Sequence, residues 1–290
     1  MKFFRLFLAS VLGVIMTSCF GDTNNTVTQD FSPYCLSYVV DINTGESSIS
    51  SGATYKVVNN LDNGTLDVEI SGVKMPNGTY MAFDIKDKRF SYNDKGAMVL
   101  NVPATTFLAG AATHTVTDFK LEFYSRYLGN QAFPMLLLNY MIDNQYFVRV
   151  IYNPSYYWGT TTVTDQDGKV FTNSDVNSFY GIQFNLETKK ADLGVFGAKF
   201  ATGMPSMNMM FKGLDYTIDA YGYKITKDEL IPTIGDTPYP SYKITDFKME
   251  GYWGGVQYIS FTCTIDTDRV KGQYRVEASV QIVPPTQSTN

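Results

Sequence analysis

Histidine is almost missing from this chain: there is one in 290 residues, with only three cysteines and two tryptophans. Imidazole-based triads and zinc sites need more than one His unless carboxylates or thiolates fill in. Charge is also scarce, at 18%, and basic side chains are outnumbered 23 to 28, for a net charge of −5. A chain short of cations is a poor match for phosphate, so nucleic acid is not an expected partner. No apolar run reaches the ~20 residues that a membrane-spanning helix needs. The glycine-rich phosphate loops, G-x-S-x-G and H-E-x-x-H are all absent. What is plentiful is aromatic: 21 Tyr and 20 Phe, within a 44% hydrophobic composition. That composition is too apolar for a disordered chain.

The amino terminus has a pattern of its own. Lys2 and Arg5 precede an apolar run, Leu6 to Met16, of signal-peptide length. Met16-Thr17-Ser18-Cys19 follows, and it resembles the lipobox of bacterial lipoproteins. The resemblance implies removal of residues 1–18 and lipidation of Cys19, anchoring the chain to a membrane. Several acyl chains make such an anchor stable, at ~0.8 kcal/mol per buried CH₂. Losing Lys2 and Arg5 would take the net charge from −5 to −7. Only Asp22 supplies an acid just after Cys19, which leaves the periplasmic and surface faces of an outer membrane both open.

The rest of the chain reads as a duplication. Thr117-Asp118-Phe119-Lys120-Leu121-Glu122-Phe123-Tyr124 returns as Thr245-Asp246-Phe247-Lys248-Met249-Glu250-Gly251-Tyr252. Gly72-Val73-Lys74 returns as Gly197-Ala198-Lys199, and Tyr55 through Leu61 returns as Tyr180 through Leu186. Ile142-Asp143 returns as Ile265-Asp266. Four echoes in one order imply two units, at 34–153 and 154–283, after a tether at 19–33 and before a tail at 284–290.

Alternation with period two dominates both units. Phe119, Leu121 and Phe123 share a face, as do Tyr180, Ile182, Phe184 and Leu186, and Val276, Ala278, Val280 and Ile282. Asn63-Gly64, Asn77-Gly78, Asp94-Lys95-Gly96 and Asp167-Gly168 mark turns. Only Lys227 to Leu230 reads as a possible helical turn. The expected fold is all-β: two tandem antiparallel units, each a small barrel or a sandwich of seven or eight strands. Lipobox and strand rhythm together resemble Bacteroidetes-type envelope lipoproteins with calycin-like barrel repeats, which implies a cell-envelope, outer-membrane location.

Candidate chemistry is thin. Asp118 and Glu122, four residues apart on a strand, would stand ~13 Å apart, too far for a glycosidase pair at ~5–9.5 Å. His114 has no counterpart in the second unit. Cys35 and Cys263 fall in different units and read as buried thiols more readily than as a disulfide. Asp165-Gln166-Asp167-Gly168 reads as a hairpin turn, since its glycine and missing Glu do not fit a calcium loop. Three aromatic segments remain, carrying Tyr124 and Tyr127, then Tyr156, Tyr157 and Trp158, then Tyr252 and Trp253. Exposed rings beside amides suit the flat C–H faces of sugars, and packed rings would simply fill barrel ends. The chain is therefore expected to be a non-catalytic, lipid-anchored ligand-binding module, with glycan as the ligand class, no cofactor and no metal. The alternative is a structural or accessory lipoprotein that contacts an envelope protein partner. A hydrolase ranks third.

Overall fold

The computed structural model describes residues 26–282, apart from 95, 129, 130, 176, 220 and 254; for 124–128 and 131–135 it describes the backbone alone. Cys19, with its expected lipidation, lies outside the described residues. Among those residues no helix is long and apolar enough to cross a membrane. The chain divides into two compact units that meet between Asn153 and Pro154.

Apart from one 3-10 turn at Ser32–Tyr34, the ordered elements are strands. The first unit holds β1 (Thr26–Asp30), β2 (Cys35–Asp41), β3 (Ser47–Ser51), β4 (Thr54–Asn60), β5 (Thr65–Lys74), β6 (Tyr80–Arg89), β7 (Ser91–Tyr92), β8 (Met98–Ala109), β9 (Ala112–Leu128), β10 (Gln131–Ile142) and β11 (Tyr146–Tyr152). The second holds β12 (Ser155–Asp165), β13 (Val170–Asn173), β14 (Phe179–Asn185), β15 (Lys190–Ala198), β16 (Met207–Ile218), β17 (Gly222–Leu230), β18 (Thr233–Ile234), β19 (Thr237–Pro238), β20 (Tyr242–Tyr252), β21 (Val256–Asp266) and β22 (Lys271–Gln281). All pairings are antiparallel. Residues 227–230 belong to β17, so the helical turn expected there is strand. Residues 26–30 were expected in the tether but form β1, and Phe31 is a core residue at 2% exposure.

The second unit is a closed eight-stranded barrel, in the order β14-β12-β22-β21-β20-β17-β16-β15, with β15 pairing back to β14. The first unit repeats six of those eight pairings, with β2, β4, β5, β6, β8, β9, β10 and β11 in the corresponding places. Two ladders are missing. β6 and β8 lie side by side without one, and β4 pairs with β1 instead of β2. The second difference has a local cause. β12 crosses from β14 to β22 as one strand, and Gly159 permits it: a Cβ there would stand 2.1 Å from the Ser279 carbonyl oxygen. Its counterpart in the first unit is interrupted at Ser32-Pro33-Tyr34. Proline has no N–H to give a ladder, so the strand breaks into β1 and β2.

Matched residues show what the repeated sequence blocks are for. In the Thr-Asp-Phe-Lys block, Asp118 and Asp246 have φ of 52° and 55° and sit at register shifts opposite β10 and β21. Each is the extra residue of a β-bulge, which bends its strand. The following Phe119 and Phe247 turn inward, stacking on Tyr140 at 5.7 Å and on Phe261 at 6.1 Å. Gly72 and Gly197, from the second echoed block, likewise sit at register shifts with positive φ. A third pair has no obvious echo in sequence. The Asp67 carboxylate accepts the Asp87 N–H at 2.7 Å, and Asp192 accepts the Gly213 N–H at 2.8 Å, again where register shifts. Inside each unit a hydroxyl pair recurs too: Ser37 with Tyr55 at 2.6 Å, and Thr161 with Tyr180 at 2.8 Å.

Cores come from the alternating faces. In the first unit Val39, Tyr55, Val68, Ile85, Leu100, Phe119, Leu121, Leu138 and Val148 are buried together. In the second, Ile182, Leu193, Phe211, Ile225, Phe247, Phe261 and Val276 are buried.

Candidate functional site

The three aromatic segments have different fates. Tyr124 and Tyr127 lie in the backbone of β9, and their side chains are outside the described residues. The segment around Tyr156, Tyr157 and Trp158, read as a loop whose rings either bind a ligand or pack, is strand β12, and all three residues are buried. Tyr157 points into the barrel, where it accepts a hydrogen bond from the Tyr223 hydroxyl at 3.3 Å. Tyr156 and Trp158 point the other way and pack on Phe179, which stacks on Phe196 at 4.4 Å. These rings are covered, so they offer no open face to a ligand here.

The third segment is at the surface. Tyr252 ends β20 at 51% exposure, and Trp253 opens the turn into β21, half-buried. This turn lies against the one joining β16 to β17, because Gly222 pairs with Tyr252. Asp219 shapes the neighbouring turn: its carboxylate accepts the N–H groups of Tyr221 and Gly222 at 2.8 and 2.9 Å. That local bond is the usual reason an Asp starts a turn. Trp253 then bridges the two turns. Its backbone N–H donates to the Tyr221 carbonyl at 3.1 Å and its indole Nε1–H to the Asp219 carbonyl at 3.0 Å.

Two more rings join it. Tyr221 is 81% exposed and Tyr258, on β21, is 53% exposed. Tyr258 lies opposite Glu250, which pairs with Lys224 at 3.4 Å on the same outer face. The result is three open phenol rings and one tilted indole beside a carboxylate and an ammonium.

The base beneath is rigid. Gln257 is fully buried, and its Nε2 donates to the carbonyls of Tyr252 and Gly255 at 2.8 and 2.9 Å. Trp253 leans on Tyr223 with centroids 5.1 Å apart. Burial pushes the Tyr157 and Tyr223 phenols above their ordinary value, so they stay protonated. Gly251 makes this packing possible: a Cβ there would stand 2.1 Å from Gln257 Oε1 and 2.2 Å from the Tyr223 ring. The first unit has Phe123 at the matching place, packed edge-on against Phe31 at 5.3 Å.

Other candidates resolve into structure. His114 Nδ1 meets Asp143 at 2.6 Å, and that carboxylate also accepts the Thr115 N–H at 2.8 Å. The pair ties a strand to the β10–β11 turn, and Phe107 stacks on the imidazole. Cys35 and Cys263 are buried free thiols. Asp165 closes its hairpin turn by accepting the N–H groups of Asp167 and Lys169. Among the described residues no group of three or more His, Cys, Asp or Glu is placed to hold a metal ion.

No protein-family model matches the sequence, and no curated protein matches it. Similar solved structures include the following two. One is a provisionally named outer membrane protein from Bacteroides fragilis, 14% identical, with 86% of this chain and 96% of that chain covered and a TM-score of 0.33. The other is a protein of unknown function of the DUF3598 family from Nostoc punctiforme, 9% identical, with 86% and 94% covered and a TM-score of 0.22.

Proposed function

We propose that this is a non-catalytic cell-envelope protein, lipid-anchored through Cys19, that binds glycan on the aromatic surface of its second unit. One observation carries the binding reading: Tyr221, Tyr252 and Tyr258 stand open on a base braced by Gln257, Trp253 and Asp219. Open rings can stack on the apolar face of a sugar, whose hydroxyls can reach Glu250 and Lys224. Titrating the protein with a polysaccharide panel should shift the emission of Trp253, while the Tyr252→Ala variant should lose the response. No change across the panel, or an unchanged response in the variant, would sink the glycan reading. The anchor has its own test. Cys19→Ala should abolish labelling with radioactive palmitate, and continued labelling would mean that the lipobox is misread.

A second reading has one observation in its favour. Among the described residues the first unit is not closed, and β1 and β3 each pair with a neighbour on one side only. Such edges take partner strands. An envelope protein bound there should co-purify in mild detergent, and recovery of a lone monomer would count against it.

A further inference from the structure

The opposite end of the second barrel carries a separate feature. β20 runs from Tyr242 to Tyr252, so Tyr242 is at the far end from the aromatic surface. There the loop before β20, the start of β16 and the β21–β22 turn enclose a cleft of about 290 Å³. Its lining includes Met207, Tyr239, Tyr242, Asp268 and Arg269. Tyr242 is buried, and Tyr239 stacks on it with centroids 5.5 Å apart, leaving Tyr239 38% exposed. The turn is held in shape: Thr267 Oγ1 donates to the Val270 carbonyl and accepts the Val270 N–H, both at 3.0 Å. Just beside it, Asp266 and Lys271 satisfy each other at 2.9 Å. Asp268 and Arg269 are different. Both are exposed, both line the cleft, and neither has an ion-pair partner among the described residues.

A fixed turn thus presents a carboxylate and a guanidinium, each without an ion-pair partner among the described residues, beside a tyrosine face and a thioether. A neutral sugar could hydrogen-bond that pair but would compensate neither charge. A polyanion would meet Asp268, and a polycation would meet Arg269. The volume lies just below the roughly 300–1,000 Å³ common for small-molecule sites, which limits the ligand to a small body. We propose that this cleft binds a small zwitterion of amino-acid size, with its carboxylate on Arg269, its ammonium on Asp268 and its apolar body against Tyr239 and Met207. The two charged contacts are charge-assisted hydrogen bonds, stronger than their neutral counterparts. The site is independent of the aromatic surface at the other end, so either can fail without the other.

Saturation-transfer NMR on the full chain can test this with four probes: phenylalanine, phenylacetate, 2-phenylethylamine and glucose. Phenylalanine should receive saturation at millimolar concentration. The two single-charge probes should bind about threefold more weakly, the loss expected for one solvent-exposed ion pair. Glucose should give no signal. Arg269→Gln and Asp268→Asn should each weaken phenylalanine about threefold, and Trp253→Ala should leave it unchanged. Both substitutions are on an exposed turn, so neither should impair folding. The proposal is overturned if phenylalanine gives no saturation, if a single-charge probe binds as well as phenylalanine, or if neither substitution weakens it.

Discussion

Gly251 is where one missing side chain remakes the end of a barrel. In the first unit the matching position holds Phe123; in the second, the Tyr223 ring and the Gln257 carboxamide occupy that room. Gly251→Ala should therefore overpack the site and cost about 1–3 kcal/mol, read as a lower midpoint in urea unfolding. It should also disturb the Trp253 turn, so weaker glycan binding should accompany the lost stability. The two thiols make a second prediction at this scale. Burial pushes Cys263 up to about 12 and Cys35 higher still, with the charge of Asp30 adding to the effect on Cys35. A raised thiol pKa favours the neutral folded form, so this contribution is intact below the ordinary thiol pKa of roughly 8.5 and fades as pH climbs through the folded value. Thiol reagents at pH 8 should label neither cysteine in the native protein and both in guanidinium. Native-state labelling would mean that the strands carrying them open readily.

Strands here are shaped more by their irregular residues than by their regular ones. The echoed Thr-Asp-Phe-Lys block was legible as a repeat, and its alternation grouped Phe119 with Leu121 on one face, which the fold buries, as it does Phe247. Its aspartate, which with the following Glu could suggest chemistry, instead marks the bulge residue, because Asp tolerates φ near +55° better than most side chains. Asp246→Gly should stay within about 1 kcal/mol of wild type, while Asp246→Val should lose about 1–2 kcal/mol; equal stabilities would contradict the backbone reading. At the clamped bulge, Asp192→Ala leaves the Gly213 N–H without its acceptor and should cost about 1–3 kcal/mol, again by urea unfolding. This clamp escaped the sequence because Asp87 and Gly213 are different residues serving the same backbone conformation. The aromatic loops divide for a related reason. A run such as Tyr156-Tyr157-Trp158 looks alike whether it crosses a sheet or leaves one, and only strand pairing decides which.

Each unit takes the same chain pattern to a different degree of closure. β16 and β17 are laddered in the second unit, whereas β6 and β8 meet through side chains such as Phe83 and Phe107, stacked at 4.9 Å. Hydrogen exchange should therefore be faster for the seam-facing amides of β6 and β8 than for Tyr216 and Ile225, whose strands are paired; equal protection would argue against an open seam. Acid should weaken both units. Gln145 holds the Asp41 carboxyl below its ordinary value, and Lys190 does the same for Asp215, with the charges of Lys190 and Lys227 adding to it. A depressed carboxyl pKa stabilises the fold above the unfolded value and loses that contribution as pH falls. Thermal midpoints should drop between pH 5 and pH 3, and Asp215→Asn should flatten part of the decline. The sequence by itself determined the all-β class, the two-fold repetition and the inward faces of the strands, because period-two alternation and echoed blocks are local properties. Only the tertiary structure decided that one copy closes and the other splits, and that Tyr252 is open while Trp158 is covered. Closure depends on which strands find each other across the chain, and burial depends on what those pairings bring together.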